Sequence, residues 1–423
     1  MTFDINDTSR NNQLPSSTLE AKSSPLASPS TGPKPPISSI ISTYDFEAVA
    51  YQTLSPKTWA FISSAAADLH TKERNRTAFA DIALRPRALR DVSRVDTSVS
   101  MLGQNLRLPL FCSPVAMAHL VHAQGEKDIG RACKASGVAQ CISTSASYPL
   151  GEIVAAVEEH PSPRACDVPI FFQLYMDKNR NRSRELLQAA QRSGVKAIFL
   201  TIDAPVPGKR ELDERTSPDV AISSPLSGAT AGSDHKGSSW GRTMGGFIDA
   251  SLSWGDIPWI RSCVPGLPIV LKGIQTSEDA VMAMEAGMDA IVISNHGGRS
   301  LDTAPASILV LLELARNVPQ VFKAMEVYVD GGIRRGTDIF KALCLGARAV
   351  GVGRGPLYAA NYGKEGVLRY FDILRDELET TMKMCGVTSL NQLGPAYLNT
   401  LAVDHLIPRL RICHTTDKIN SRL

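Results

Sequence analysis

The sequence lacks a long apolar run, a strong net charge and a hydrophobic leader. No stretch approaches the ~18 consecutive apolar residues that a membrane-spanning helix requires. The formal net charge is +3 over 423 residues, so neither nucleic acid nor an anionic membrane is indicated as a partner. The N-terminus contains no hydrophobic core of a secretory signal. We therefore expect a soluble, intracellular protein.

Metal-binding and disulfide patterns are also missing. The eight cysteines are scattered without a CxxC pair, and no histidine stands at ligand spacing from them. We therefore expect no metal site and no disulfide framework, and a reducing compartment fits this cysteine usage. A composition of 43% hydrophobic and 21% charged residues is typical of a globular protein with a large core.

Composition divides the chain into three parts. Residues 1–40 are rich in Ser, Pro, Thr and Asn, and contain too little apolar surface to offset the entropy lost on ordering. This segment is predicted to be disordered. Helical patterns begin near Tyr44 and lead into an extended segment, ALRPRALRDVS. We assign residues 41–400 to one folded domain and residues 401–423 to a C-terminal tail.

Short apolar, β-branched runs alternate with helical patterns through most of that domain. The runs are residues 110–113, 138–143, 170–174, 197–202, 269–271, 290–293, 327–329 and 349–352. Eight strands, each followed by a helix, predict an α/β fold of the (β/α)₈ TIM barrel type, here with an N-terminal helical extension. An open doubly wound sheet is the alternative, but the units recur evenly and no GxGxxG follows the first run.

One connection is much longer than the others. Residues 203–252, after the fourth strand, include the polar, Gly- and Ser-rich stretch SPLSGATAGSDHKGSSWG. Barrels place such insertions over the mouth of the active site, so we interpret it as a mobile lid loop. A passive disordered insertion is the alternative for its middle portion.

Polar residues recur at the carboxyl ends of the predicted strands. Taken singly, each has a structural explanation, such as a turn at SNHGGRS or a helix cap at Asp203. Together they predict one ring of polar groups around one barrel mouth, where barrel enzymes carry out their chemistry. After the last two strands, DGGIRRG and GVGRG offer backbone amides and the cations Arg334 and Arg354. That pattern indicates a phosphate site, and a mononucleotide rather than a dinucleotide.

The remaining polar residues indicate the type of reaction. His296 with Asp203 forms a base whose charged form a carboxylate stabilises, and Arg210 and Arg299 can hold a substrate carboxylate. Lys272 is either a Schiff-base nucleophile or a cation that faces developing negative charge. The pattern predicts abstraction of a proton or hydride from a small carboxylate.

The motifs RPRALRDVS, SPVAM, FFQLY, LTIDAPVPGKRE, VLKG, SNHGGR and DGGIRRGTDIFKALCLGA occur in this order. Over residues 44–393 the chain resembles the FMN-dependent α-hydroxy acid oxidases and dehydrogenases. The resemblance implies that His296 is the base, oriented by Asp203, and that Tyr175 hydrogen-bonds the substrate oxygen. It implies carboxylate binding by Arg210 and Arg299, a homo-oligomer (a tetramer by analogy), and a charged Lys272 beside the flavin instead of a Schiff base.

The same resemblance implies FMN as the cofactor. Implied contacts to the flavin ring or ribityl chain are Pro114, Val115, Ala116, Thr144, Gln173, Thr201, Ser294 and Asp330. Implied contacts at the phosphate end are Gly331, Gly332, Arg334, Gly353 and Arg354.

Three positions depart from the family pattern. Ile62 stands where the family usually has a tyrosine, Ser145 where glycolate oxidase has a tryptophan, and Ser300 where the signature has glutamine. A roomier, more apolar pocket follows, which leaves open a larger substrate of specialised metabolism. An FMN-binding protein without turnover is the other alternative.

The final tripeptide Ser-Arg-Leu, residues 421–423, is a conservative form of a peroxisomal address. It predicts a peroxisomal protein, otherwise a cytoplasmic one, and O₂ as the acceptor of electrons from the reduced flavin. No cytochrome-like segment precedes the predicted barrel, so an internal haem acceptor is not expected.

Overall fold

The predicted apolar runs form eight parallel strands in a computed structural model of the chain, which describes residues 33–161, 168–218 and 220–409. The strands are β1 (Leu110–Cys112), β2 (Ala139–Ser143), β3 (Ile170–Leu174), β4 (Ile198–Thr201), β5 (Ile269–Ile274), β6 (Ala290–Ile293), β7 (Glu326–Asp330) and β8 (Ala349–Val352). They pair in sequence, and β8 also pairs with β1, so the sheet is a closed barrel. The predicted TIM barrel is confirmed.

Large aromatic side chains fill the interior of the barrel. Phe199 lies between Phe111 and Phe171, with ring centroids 5.9 and 5.1 Å apart, and Tyr328 contacts Phe111 at 5.9 Å. A hairpin of Val99–Met101 and Gln104–Leu106 packs Met101 and Leu106 against the same cluster. The interior of the barrel is therefore a packed core rather than a pore, and barrels of this type carry their ligands at the carboxyl end.

Helices surround the barrel and precede it. They are α1 (Thr43–Thr53), α2 (Pro56–Ser63), α3 (His70–Ala80), α4 (Gly125–Ser136), α5 (Leu150–Glu158), α6 (Arg180–Arg192), α7 (Glu211–Arg215), α8 (Trp240–Met244), α9 (Ile257–Cys263), α10 (Ser277–Glu285), α11 (Ser307–Asn317), α12 (Val321–Ala324), α13 (Gly336–Cys344), α14 (Arg354–Ala359) and α15 (Gly363–Met384). Local signals mark their ends: Ser42 and Asp45 form a capping box on α1, and Gly137 closes α4 with φ of 72°.

The N-terminal extension is longer than the sequence indicated. The described part of the segment predicted to be disordered, residues 33–40, packs on the barrel: Ile40 is buried and Lys34 donates to the Asn361 carbonyl. An apolar residue that finds a hydrophobic site offsets the entropy of ordering its neighbours. The prediction for residues 1–32 lies outside the described residues.

The long connection after β4 is folded rather than passive. It contains α7, a hairpin of Ile222–Ser223 with Thr230–Ala231, and α8. Trp240 of α8 is fully buried, with its ring 5.8 Å from that of Phe61 in α2. The average composition of the segment is polar and did not indicate this contact. A single buried tryptophan nevertheless supplies a large apolar contact area. That the connection moves as a lid stays a prediction.

The chain after α15 returns to the start of the domain, where Leu398–Asn399 pairs with Ala83–Leu84. The final tripeptide lies outside the described residues. In the described ranges, no helix combines the length and apolar character needed to cross a membrane.

Candidate active site

A cavity of about 520 Å³ lies at the carboxyl end of the barrel. Residues in or directly after the carboxyl-terminal part of each of the eight strands line it: Pro114, Val115, Ala116, Ser143, Ser145, Tyr175, Ala204, Lys272, His296, Asp330, Gly331, Gly332, Gly353 and Arg354. The insertion adds Met244, Phe247 and Ile248 to the wall. One mouth therefore collects the polar ends of all the strands, as the alternating pattern predicted.

An imidazole and a carboxylate from two strands meet at this cavity. The Nδ1 atom of His296, after β6, lies 2.7 Å from Oδ1 of Asp203, after β4. Burial raises the pKa of the Asp203 carboxyl, but His296 and Lys272 outweigh that effect and hold it below its usual value. Asp203 is therefore ionised and is placed to accept a hydrogen bond from Nδ1–H of His296, while Nε2 of His296 faces the Tyr175 hydroxyl.

The loop that carries His296 is held in an unusual conformation. His296, Gly297 and Gly298 have φ of 58°, 63° and 77°, and a side chain with φ > 0 costs about 1–2 kcal/mol. The two side-chain amides of Asn75 and Asn295 hydrogen-bond each other at 2.8 Å in both directions, and Asn295 also accepts from the Gly298 amide. This network stabilises the strained turn that directs the imidazole into the cavity.

A hydroxyl and an ammonium group lie on either side of this dyad. The Tyr175 hydroxyl is 3.3 Å from Nε2 of His296, and burial, then Asp203, raises the pKa of Tyr175 to about 12. Nζ of Lys272 donates to Ser294 at 3.0 Å and lies 3.5 Å from Asp330 and 3.9 Å from Asp203. Burial lowers the pKa of Lys272, but Asp330 and Asp203 raise it above its usual value. A permanently charged lysine is a poor Schiff-base nucleophile.

Two guanidinium groups lie beside one aromatic ring. Arg210 and Arg299 are 5.9 and 5.8 Å from the centroid of Phe61. Burial lowers the pKa of both arginines. Nε of Arg210 is buried without a hydrogen-bond partner among the described residues. Arg210 thus has donors available for an anion.

Arg299 uses part of its guanidinium group for contacts within the protein. Its guanidinium donates to the carbonyls of Phe61, Ile62 and Ser64 at 2.8–2.9 Å, so it holds the C-terminal end of α2 as well as facing the cavity. Phe61, whose ring lies beside both arginines, and Ile62, which stands where the family usually has a tyrosine, both line the cavity.

Four predicted flavin contacts are buried and do not line the cavity, and three of them bond to each other. Gln173 accepts from the Thr144 amide at 3.1 Å and donates to Thr201 at 3.0 Å, while the Thr144 hydroxyl donates to the Gln173 carbonyl. Ser294 accepts from Lys272. Ser143, the last residue of β2, lines the cavity, whereas Thr144, the predicted flavin contact at this strand end, does not. These groups form a hydrogen-bonded layer that orients the residues above it.

The glycine-rich ends of β7 and β8 form an open, cationic corner. A Cβ at Gly332 would lie 2.1 Å from the Asn75 carbonyl, so only glycine permits this close approach. Nη2 of Arg354 donates to the Gly297 carbonyl at 2.8 Å, and its Nη1 is buried without a partner in the described ranges. Arg334 is less free than predicted, because it pairs with Glu47 and covers the Tyr44 ring at 3.8 Å.

Two further residues of this corner were not predicted. Lys72 of α3 lines the cavity, and burial, then Arg354, lowers its pKa to about 8. Tyr358 of α14 also lines it, with a buried hydroxyl that lacks a partner in the described part of the chain, and burial raises its pKa to about 12. Neither residue follows a barrel strand directly, so the strand-end rule gave no signal for them.

Fold and site together define a class: (β/α)₈-barrel proteins with a cationic, glycine-rich corner at the last two strands and a carboxylate-backed imidazole after the sixth. The sequence matches the family described as FMN-dependent dehydrogenase over residues 50–400. The chain therefore belongs to this family, and its cofactor is FMN.

Curated relatives include dehydrogenases and oxidases. The chain is 42% identical over 372 residues to L-lactate dehydrogenase (cytochrome) of Saccharomyces cerevisiae, covering 86% of this chain and 61% of that protein. It is 39% identical over 364 residues to the peroxisomal (S)-2-hydroxy-acid oxidase GLO4 of Oryza sativa subsp. japonica, covering 85% and 96%. The chain thus spans less than two thirds of the yeast dehydrogenase but nearly all of the rice oxidase.

Solved structures agree with the fold. A mutant flavocytochrome b2 with pyruvate bound has a TM-score of 0.77 and 39% identity, covering 89% of this chain and 90% of that one. Mandelate oxidase with (S)-4-hydroxymandelic acid has a TM-score of 0.77 and 33% identity, covering 85% and 98%.

The cavity has the donor set that FMN requires. Among the described residues, the buried atoms without a partner include an acceptor, Oδ1 of Asp330, and two donors, Nη1 of Arg354 and the hydroxyl of Tyr358. Buried polar atoms without partners are rare in folded proteins unless a ligand satisfies them. A ribityl hydroxyl would satisfy Asp330, and a phosphate would satisfy Arg354 and Tyr358.

Proposed function

We propose that the protein oxidises an (S)-2-hydroxy acid to the 2-oxo acid with bound FMN. The observation that carries the proposal is the geometry of His296: Asp203 fixes one ring nitrogen, and the other faces the cavity shared by Lys272 and Arg210. Bound FMN would accept the two electrons. The family match and the hydroxy acid enzymes among the relatives support the same reaction.

Each polar residue of the cavity would have a distinct role in the reaction. Arg210 and Arg299 would bind the substrate carboxylate, and Tyr175 would hydrogen-bond its hydroxyl oxygen. Nε2 of His296 would accept the proton from the hydroxyl or the α-carbon, while Asp203 stabilises the resulting imidazolium. Lys272 would hold positive charge where negative charge develops, in a site from which most water is excluded.

A panel of 2-hydroxy acids mixed anaerobically with the FMN-loaded protein tests this function. We expect at least one (S)-2-hydroxy acid to bleach the flavin absorbance, and its (R) enantiomer to leave it unchanged. Bound FMN that no member of the panel reduces would instead support a flavin-binding protein without turnover. A protein that neither carries nor rebinds FMN would contradict both proposals.

The cofactor site would be held by the residues at the ends of the last strands. We infer that Asp330 binds the ribityl chain and that Gly331, Gly332, Arg334, Gly353 and Arg354 surround the phosphate. The backbone of residues 114–116 and the side chain of Ser143 would contact the ring, with Thr144, Gln173, Thr201 and Ser294 supporting it from below.

The affinity of the cofactor-free protein for FMN is expected to fall as the pH rises above about 8. Burial, then Arg354, lowers the pKa of Lys72 to about 8, so its ammonium group is present below that pH and is lost above it. The phosphate, dianionic above pH 7, favours the protonated lysine and therefore takes up a proton on binding at higher pH. FMN titrations from pH 7 to 9.5, followed by quenching of flavin fluorescence, measure the effect.

Lys72→Met should bind FMN more weakly below pH 8 and should lose most of this pH dependence. Lys127→Met is the matched control, because Lys127 pairs with Glu152 away from the cavity. An unchanged pH profile in Lys72→Met would show that another group titrates.

A second proposal concerns the size of the substrate. Ser145 lines the cavity together with apolar residues, namely Val115, Ala116, Met244, Phe247 and Ile248. A small side chain in an apolar wall leaves room for a bulky apolar substituent on the hydroxy acid. Mandelate oxidase, a structural neighbour, has been solved with (S)-4-hydroxymandelic acid, which supports an aromatic 2-hydroxy acid as a candidate.

Ser145→Leu is expected to lower kcat/KM for mandelate about tenfold or more, because overpacking a filled pocket costs about 1–3 kcal/mol. Lactate, with only a methyl group, should change less than about threefold on the same reasoning. Steady-state kinetics on the two substrates make the comparison, and Ser145→Ala controls for loss of the hydroxyl. Equal losses on both substrates would argue against a size-selective role for Ser145.

We further propose O₂ as the acceptor, a peroxisomal location and a homo-oligomeric assembly. The rice oxidase is named as a peroxisomal protein, and the terminal Ser-Arg-Leu of this chain is consistent with that address. Hydrogen peroxide produced in proportion to hydroxy acid consumed would support oxygen as the acceptor. Turnover with an added cytochrome c and no peroxide would support a dehydrogenase.

A further inference from the structure

A buried ion pair joins the N-terminal extension to the insertion after β4. Nζ of Lys57, in α2, lies 2.6 Å from Oδ1 of Asp213, in α7, and the two side chains are 1% and 0% exposed. The same ammonium group donates to the carbonyls of Asp213 and Ser238 at 2.5 and 2.6 Å, so its three donors are all used. The proposed chemistry uses neither residue.

The carboxylate of Asp213 continues this network into α8. Its Oδ2 accepts from the Ser239 hydroxyl and from the Gly241 amide, both at 2.9 Å. Lys57 also lies 5.1 Å from the centroid of the Trp240 ring. Three segments that are far apart in the chain (α2, α7 and the start of α8) therefore meet at one charge pair. Stability alone does not explain it, because apolar residues of similar volume often stabilise a core as well as a buried ion pair.

The network ends at the guanidinium group of Arg210. A Cβ on Gly241 would lie 1.5 Å from Nη2 of Arg210, so the Gly241 backbone packs directly on one side of this group. Phe61 lies on α2 with Lys57, one helical turn away, and its ring is 5.9 Å from Arg210. Arg210 itself immediately precedes α7. The three structural elements that Lys57 and Asp213 hold together are therefore the elements that carry and enclose Arg210.

We propose that Lys57 and Asp213 are positioning residues for the substrate carboxylate, acting through Arg210. They fix Gly241 and Phe61 around a guanidinium whose Nε has no hydrogen-bond partner among the described residues. The orientation of the Arg210 guanidinium group toward the cavity is therefore set by packing rather than by hydrogen bonds. This inference rests on the proposed function, because it takes the bound anion to be the carboxylate of a hydroxy acid.

The experiment measures the Kd of two 2-oxo acids, pyruvate and benzoylformate, from the perturbation of flavin absorbance in the FMN-loaded protein. Lys57→Met and Asp213→Asn are each expected to raise both Kd values about tenfold, which corresponds to the loss of about one well-placed charged contact. The limiting rate of anaerobic flavin reduction at saturating hydroxy acid should change by less than about threefold, because ground-state and transition-state binding weaken together.

A double-mutant cycle separates positioning from general destabilisation. If Lys57 acts through Arg210, Lys57→Met should add no further loss of affinity in an Arg210→Met background. Asp234→Asn is the matched control: Asp234 pairs with Arg242 of α8 on the solvent side of the same insertion, and its removal should leave Kd within about twofold, as for a surface ion pair. Flavin content per chain verifies that each variant is folded, and Asp213→Asn provides the test where Lys57→Met does not retain FMN.

The possible failures are distinguishable. Unchanged Kd values in Lys57→Met and Asp213→Asn, with weakened binding in Arg210→Met, would overturn only the positioning role. Additive losses in the double variant would overturn it as well, because the two residues would then act independently. Unchanged binding in Arg210→Met would overturn the proposed carboxylate role of Arg210 and this inference with it.

Discussion

Replacing His296 with alanine is expected to slow flavin reduction by a 2-hydroxy acid by about 10²–10⁴-fold, the usual contribution of a general base. The reason is geometric, because Asp203 contacts Nδ1 of His296, while Nε2 lies beside Tyr175 at the cavity, where it can accept a proton. The Kd of the 2-oxo acid should change much less, since Arg210 and Arg299 remain. Anaerobic stopped-flow absorbance measures both quantities.

His122→Ala is a suitable control for this variant. His122 also lies near a carboxylate, with Nδ1 3.3 Å from Asp128, but on the outside of the barrel. Its loss should leave the rate of flavin reduction unchanged. If His296→Ala retained more than about a tenth of the wild-type rate of flavin reduction, a general base at this position would be excluded, because a general base usually contributes at least about 10²-fold.

Lys272→Met is expected to have the second large effect. It removes the cation that faces Asp330 and Asp203 in a site where Lys272 is 4% exposed. Breaking a buried pair by removing one partner costs about 3–5 kcal/mol of the free energy of unfolding. Flavin reduction should also slow by about 10²–10³-fold, because a fixed charge no longer stabilises the negative charge that develops.

Urea unfolding and stopped-flow reduction measure the two consequences separately. Lys341→Met provides the comparison, because Lys341 is a buried lysine that donates to the Phe79 carbonyl away from the cavity. That variant should lose stability without a change in the reduction rate. If Lys272→Met lost stability but reduced its flavin at the wild-type rate, Lys272 would be a structural residue only.

The barrel could be predicted from the sequence because the patterns that indicate strands and helices are local. A buried parallel strand requires a short apolar run, and the helix that follows requires a 3.6-residue pattern and a closing residue such as Gly137. The position of the site could then be predicted as well, since parallel strands place their carboxyl ends at one edge of the sheet. For this reason His296, Asp203, Lys272 and Arg354 were all found from their positions after predicted strands.

Other features of the site depend on contacts between distant parts of the chain. Phe61 and Lys72 come from the helices before the barrel, and no periodic pattern marks them as cavity residues. The insertion has a polar composition, yet the burial of Trp240 and the pair between Lys57 and Asp213 give it a fixed structure. Such contacts form only when the folded chain brings the groups together, so their energy is absent from any short window of sequence.

The sequence by itself determined the fold, the family and the set of strand-end groups, because hydrophobic periodicity and strand polarity are properties of neighbouring residues. Only the tertiary structure decided which hydroxyl of β2 reaches the cavity, how Arg299 divides its donors, and what encloses Arg210. Those outcomes depend on side-chain packing across separate elements, where the available space and the unpaired donors are set by residues far away in the chain.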